Sequence, residues 1–450
     1  MRHLFFIAAS AVLLMTLGWG QDEHTVPVSA IGPELPYTEV LTPPAPVNNV
    51  QMPLTFSSGG ERSNVLSGSI QVGSGYNDNA LVAPKDHVSN VSVLVVPRIE
   101  IRQNRERWSL DFAYSPGITS NQNLSEQNQF AQNLSFASNY RLSPHVSLQL
   151  RDNFAVTNNL FSGLFGNTPG PGPLQQSNAS VITPLADSTS NNSGLSVTYQ
   201  FSSSSLVGLS GNYYFVNYGS VAGTTGTAGF INSRSPSAGG FYAHRFSNRH
   251  WLGVKYMFQQ FMFNPGSRTT LHGMLGFYSL TLGSHMTLSL WAGPQYSTTF
   301  FPLPSLAGTL ALPSQWSPMS GATIDWIGRH TSLRAGYWRQ ISDGGGLAEA
   351  VELQQADAEF SHRLAARWTA TARVTYARNN PLHVVSATAP LRSLQANTGI
   401  EYRVTDNLGV SIAYGRQQQA YEYVRLPSAT ANQNRAWFSL SYIFARPLGR

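Results

Sequence analysis

Cysteine is absent from all 450 residues. That excludes disulfides, thiolate metal sites and a cysteine nucleophile. Charge is scarce as well: 11% of residues are Asp, Glu, Lys or Arg, less than half the roughly 25% usual in soluble domains. A water-facing surface needs more. Beyond the N-terminus no run of about 18 apolar residues occurs, so no membrane-spanning helix is available. Net charge is +6 and the pI about 9.5, yet the basic residues are scattered. No Lys/Arg run marks a nucleic-acid surface. Phosphate-cradling GxxxxGK[ST], the GxSxG elbow and HExxH are all missing. No catalytic, cofactor-binding or metal-ligating set is therefore expected. The 11 histidines are dispersed; His145, His250, His285, His330 and His362 fall near five different turns and read as polar rim residues.

Neutral polar residues stand where charge is missing. Asn, Gln, Ser, Thr and Gly are abundant, aromatics reach 11%, and the hydrophobic share is 42%. Mean hydropathy is -0.16. This balance suits a chain with an apolar skin and a wet interior.

The N-terminus reads as targeting sequence. Met1-Arg2-His3 is a short positive start, Leu4 to Leu17 is apolar, and small residues around Gly18–Gly20 precede Gln21-Asp22-Glu23. This predicts a secretory signal peptide over 1–20. Residues 21–62 are proline-rich and aperiodic, and predict an extended periplasmic segment.

From 63 to 450 one rhythm recurs. Near the end stands Phe438-Ser-Leu-Ser-Tyr-Ile-Phe444, with large apolar side chains at 438, 440, 442 and 444. Leu252, Val254, Tyr256 and Phe258 alternate in the same way, as do Leu408, Val410, Ile412 and Tyr414. Period two is the signature of a strand. About 18 such segments occur, one every 21 residues or so, with short and long connections alternating. Eight short turns and nine long loops require an even strand count with both termini on one side. A soluble sandwich would need more charge and an apolar second face. The all-β reading is a transmembrane antiparallel up-and-down barrel of about 18 strands, with 16 as the nearest alternative. Trp108, Tyr140, Trp326, Trp368, Tyr376, Tyr402, Tyr414 and Tyr442 then fall at strand ends, as interfacial girdles do.

The last strand, with Phe438, Leu440, Tyr442 and Phe444, resembles the signal read by the barrel-assembly machinery. The tail Arg446-Pro-Leu-Gly-Arg450 follows it. In these features the chain resembles uncharacterised, porin-like outer-membrane β-barrel proteins of Gram-negative bacteria, of the acidobacterial type. The resemblance implies an outer-membrane location, lipid around the barrel and insertion by that machinery.

Phase from the apolar face points Asp111, Asp325, Asp357, Glu359 and Glu401 inward, with Arg151, Lys255, Arg334, Arg373 and Arg403. Asp325 and Arg334 flank one short turn symmetrically, and Glu359 and Arg373 another, so each pair predicts direct cross-strand partners. Arg151 and Lys255 have no evident neighbour of opposite charge. The pore-lining candidates are Arg151, Lys255, Asp325, Arg334, Glu359 and Arg373; their alternative role is bracing the wall. Trp251, Trp291 and Trp338 are inward by phase, at rising height. They form a candidate aromatic track that resembles the sugar track of maltoporin-like channels; packing is the alternative. The loop 158–190 is the longest and the candidate to narrow the lumen. Gly344-Gly345-Gly346 reads as a flexible loop tip.

A barrel this wide holds water. Passive passage of small hydrophilic solutes is the leading functional expectation. The alternative is a structural or secretory barrel for polysaccharide export, with a periplasmic protein partner on 21–62. A rim hydrolase is a third, with no residue cluster behind it. No nucleic acid is expected as a partner, and homo-oligomerisation stays open.

Overall fold

The computed structural model describes residues 64–125, 128–157, 186–221, 231–264, 266–283, 285–303, 308–346, 349–383, 390–421 and 429–447. The stretch expected to be a signal peptide, the proline-rich stretch after it and positions 158–185 of the longest expected loop lie outside them.

The period-two stretches form nineteen strands in one antiparallel sheet. In chain order they are β1 (Val65–Asn77), β2 (Asn90–Asn104), β3 (Trp108–Asn121), β4 (Gln129–Arg141), β5 (Val146–Thr157), β6 (Ala186–Gln200), β7 (Ser205–Val221), β8 (Ser233–Arg245), β9 (His250–Phe263) and β10 (Arg268–Leu282). There follow β11 (Met286–Leu303), β12 (Gly308–Ala311), β13 (Gln315–Ile327), β14 (Thr331–Ser342), β15 (Val351–Ala365), β16 (Trp368–Pro381), β17 (Leu391–Arg403), β18 (Leu408–Tyr421) and β19 (Ala429–Pro447). Each pairs with its chain neighbour, with one exception. The four-residue β12 folds back on the top of β11, which itself pairs with β13. Eighteen strands therefore make the wall.

The sheet closes. β1 pairs with β19 from Val65↔Pro447 to Asn77↔Arg435. Closure leaves no open edge, the condition a sheet must meet in lipid. Large apolar side chains stay exposed all the way round: Ile70, Ile99, Ile118, Leu150, Leu209, Val254, Met274, Leu290, Val374, Ile412, Phe438 and Leu440 among them. Each gains about 1.5–3 kcal/mol on leaving water, so hydrocarbon is the solvent this face fits. Trp108 faces Tyr140 across β3 and β4, and Trp368 faces Tyr402 at a ring distance of 4.5 Å.

The strands outrun the apolar alternation at the long-loop end. β3 continues to Asn121 and β11 to Leu303. The added residues are Ser-Pro-Gly-Ile-Thr-Ser-Asn at 115–121 and Ser-Thr-Thr-Phe-Phe-Pro-Leu at 297–303, where proline, glycine and small polar residues break the period-two apolar pattern while the backbone ladder continues.

Candidate functional site: the two-sided lumen

Alternate residues of a closed sheet face inward, and register decides which of them meet. One inward row crosses four strands as Asp325, Arg334, Glu359 and Arg373, then continues through Asn397 and Gly415 to Arg435. Negative and positive groups alternate over its first four members. Arg334 Nε donates to Asp325 Oδ1 at 2.6 Å. Their side chains keep 32% and 36% exposure, so water reaches the row. Glu359 and Arg373 stand directly opposite in register. Two pairs symmetric about tight turns thus merge into one row, because β14 and β15 place Arg334 against Glu359.

One step toward the long-loop end, Asp357, Thr375, Gln395, Gln417 and Gln433 form a second inward row. Gln417 Nε2 donates to Gln395 Oε1 at 3.4 Å. Asp357 is buried, and its carboxylate oxygens have no hydrogen-bond partner among the described residues. Glu401 and Arg403 continue this wall toward the short-turn end of β17.

The wall over β7 to β14 is of another kind. Leu206, Ala243, Met257, Leu275, Phe277, Trp291, Met319 and Trp338 form one buried cluster, with Phe241 and Trp251 packed against it. The three tryptophans of the candidate track therefore belong to a single apolar wall. Trp291 and Trp338 are 4% and 3% exposed. Their rings lie against small neighbours: a Cβ on Gly321 would come within 2.1 Å of Trp291, and one on Gly253 within 2.2 Å of Phe277. Trp251 stays half-buried, with the Arg245 guanidinium 5.8 Å from its ring centre. Lys255 stands between Phe241 and Leu275 in register.

At the long-loop end the two edges of this apolar wall are tied together. Ser233 Oγ on β8 donates to Asp343 Oδ2 just past β14, at 3.1 Å. Tyr218 OH on β7 donates to Gly345 O at 3.1 Å, and Ile231 N to Gly346 O at 2.7 Å. Strands β9, β10, β11 and β13 lie between β8 and β14 along the wall, so these bonds tie the mouth across its interior. A second apolar cluster fills the lobe so enclosed: Phe261, Phe263, Leu271, Ile341 and Ala350, with Ile231 and Leu382. Gly344, Gly345 and Gly346 are buried, not an exposed tip. Their φ values of 71°, 64° and 83° lie in the left-handed region, open to glycine at little cost. A Cβ at 346 would come within 2.4 Å of the Tyr218 ring.

The carboxyl of Glu349 and the imidazole of His383 line a small pocket at this mouth with Thr269, Thr299 and Phe301. Burial raises the Glu349 pKa above its ordinary range, and lowers that of His383.

One expectation needs correction. Arg151 and Lys255 are not isolated. Gln149, with its amide turned to satisfy both groups, accepts from Arg151 Nε at 2.9 Å and Nη2 at 2.6 Å. Gln149 lies two positions away on the same face, where symmetry about a turn gives no hint of it. Asp111 has a partner on the neighbouring strand β2. Arg102 Nε bonds Asp111 Oδ1 at 3.1 Å, and Arg102 Nη2 bonds Glu100 Oε1 at 2.9 Å. Arg98 lies 3.5 Å from the other Glu100 oxygen. Charges at alternate positions 98, 100 and 102 were the available signal. Trp437, lying over Gly75, was hidden inside the last strand's polar phase.

The histidines stay apart. His250 Nδ1 pairs with Tyr278 OH at 2.6 Å and His362 Nδ1 with Thr331 Oγ1 at 2.6 Å, at separate turns. Among the described residues no three His, Asp or Glu come together as a metal site.

Among solved structures, Pseudomonas aeruginosa OpdQ aligns over 85% of this chain and 99% of its own, at 10% identity and a TM-score of 0.41. Pseudomonas aeruginosa OccK2 (OpdF) aligns over 85% and 98%, at 11% identity and 0.42. The unliganded ferric citrate transporter FecA aligns over 85% and 79%, at 10% and 0.42. No protein-family model and no curated protein matches the sequence.

Proposed function

We propose that the protein is an outer-membrane channel through which small hydrophilic solutes pass passively. The observation that carries this reading is the division of the lumen. One side is filled with apolar side chains and tied shut at the mouth. The other side, over β14 to β19 and β1 to β6, presents Gln, Asn, Ser and Thr with the water-accessible charged row. Polar groups of this density are stable in a membrane only where water or a counter-group reaches them.

The row Asp325, Arg334, Glu359 and Arg373 sums to zero charge. It orients dipolar solutes more than it filters by sign. Arg435, at the far end of the same row, adds a positive bias deeper in the wall. The outward apolar skin and the closed sheet support the membrane location; the N-terminal targeting pattern supports export.

The test is conductance of the purified, refolded protein in a planar bilayer, with reversal potentials under a salt gradient. Discrete steps with weak ion selectivity are the expected result. A folded barrel that inserts and never conducts would overturn the channel reading.

A further inference from the structure

Arg403 N donates to Arg367 O at 2.8 Å, one position beyond the facing rings of Trp368 and Tyr402 at the short-turn end. Two guanidiniums therefore spring from neighbouring backbone positions. Both residues are exposed, and so is Arg363 at the end of β15. Like charges so placed repel. Arg367 Nη1 reaches over to Val404 O at 3.3 Å. The guanidiniums of Arg363 and Arg403 make no hydrogen bond or ion pair among the described residues. Residues 363–367 and 401–408 are all described. Their carboxylates are Asp406, exposed, and Glu401, within range of the Arg403 charge. Leu364, beside Arg363, is 50% exposed. The rim here is basic with an apolar spot in it.

The chain enters the barrel at this same end. Asn104 N, just before the β2–β3 turn, donates to Asn64 Oδ1 at 3.0 Å, and β1 begins at Val65. β1, β19, β18 and β17 are successive neighbours. Arg403 is thus three strands from the entry point, about 20 Å along a ring of tilted strands. Residues 33–62 lie outside the described part of the chain. Their charged residues are Glu34, Glu39 and Glu61 against Arg62. Leu35, Tyr37, Val40 and Leu41 stand among the first two. From Asn64 back to Glu39 is about 25 residues, a reach of up to about 80 Å. The rim arginines are well within it.

We propose that residues 34–41 of this chain dock on the short-turn rim at Arg363, Arg367 and Arg403. Glu34 and Glu39 take the guanidiniums in charge-assisted hydrogen bonds, and Leu35 and Tyr37 beside them cover Leu364. Exposed ion pairs of this kind are weak between separate molecules. Here both partners belong to one chain, so the contact is intramolecular and the tether supplies the concentration. The contact is independent of what passes through the lumen.

The experiment is limited cleavage of the folded protein in detergent by a glutamate-specific endopeptidase, at 0.1 M salt, with the cuts after Glu34 and Glu39 timed by mass spectrometry. Retention of the heat-modifiable band in electrophoresis certifies a folded barrel for each variant. Arg363→Gln with Arg367→Gln and Arg403→Gln is expected to speed both cuts about threefold or more, by releasing the carboxylates. Arg234→Gln with Arg268→Gln, at the long-loop end, is expected to cut like wild type. The chain has no cysteine of its own, so a spin label on Thr38→Cys gives a second readout. It should tumble slowly at 0.1 M salt, and freely at 1 M salt or in the rim variant. Equal cutting of wild type and the folded rim variant, or a label equally mobile in both, would overturn the proposal. Faster cutting in the long-loop-end variant would overturn it as well, by making the effect one of overall charge. Neither readout needs current through the pore, so a barrel that never conducts leaves this test intact.

Discussion

The Asp343 carboxylate and the Ser233 hydroxyl are joined at 3.1 Å across the mouth of the barrel, although four strands separate their own strands along the wall. Both residues are buried. Asp343→Ala is expected to leave Ser233 unsatisfied and to cost about 1–3 kcal/mol at this contact. The lobe over β9 to β13 should then loosen, and single-channel conductance should rise. Asp343→Asn keeps a hydrogen-bond acceptor and should change conductance less. Identical conductance in wild type and Asp343→Ala would show that the tie does not limit the pore.

The charged row makes a signed prediction. Glu359→Gln leaves it with one excess guanidinium, and Arg373→Gln with one excess carboxylate. The first variant should shift the reversal potential toward anion preference and the second toward cation preference. The double variant should return near wild type. Raising salt from 0.1 M to 1 M should shrink both shifts, since the screening length falls from about 10 Å to about 3 Å.

Gly321 tests the packing of the apolar wall. Its added Cβ would lie 2.1 Å from Trp291 Cζ2. Gly321→Ala is expected to destabilise the barrel by about 1–3 kcal/mol through overpacking, read as a lower urea midpoint in detergent. Trp291→Leu in the same chain should recover part of that loss.

Asp152 faces outward, between Phe136 and Ser193 in register, and accepts from Ser193 Oγ at 2.5 Å. A carboxylate on the lipid face is costly near mid-bilayer. Asp152→Leu should therefore raise the unfolding midpoint, by about 1 kcal/mol in free energy. A lowered midpoint would place Asp152 against protein rather than lipid.

Glu349 gives the mouth a pH dependence. Burial raises its folded-state pKa above the ordinary value. The stability this contributes is present in full below the ordinary carboxylate range and is lost as pH rises through the raised value. His383 acts on the other side: its lowered pKa costs stability as pH falls below the ordinary imidazole range. Glu349→Gln should slow hydrogen exchange of the 349–351 backbone relative to wild type at pH 8. The two proteins should converge at pH 4.

Much of the wall was legible because lipid imposes a simple rule on each strand. Phe438, Leu440, Tyr442 and Phe444 all face out, as period two requires. Asp325 and Arg334 could be paired in advance because a tight turn makes cross-strand partners symmetric about it. The same rule could not reach Arg334 with Glu359, whose long connection has no fixed symmetry. It was silent on Gln149 beside Arg151, a contact along one strand. It also misplaced the triglycine. Composition suggests an exposed tip, while the buried site at Tyr218 depends on a strand more than a hundred residues away in sequence.

The amino-acid sequence by itself determined that there is a barrel, about how many strands make it and which face meets hydrocarbon. Each of those follows from the transfer of side chains one at a time, a property local to a strand. Tertiary structure decided how the inside is divided. It brought β8 to β14, pressed Trp291 onto Gly321 and set Arg378 against Arg392. These contacts depend on closure and on register accumulated around the ring, and no single strand carries that information.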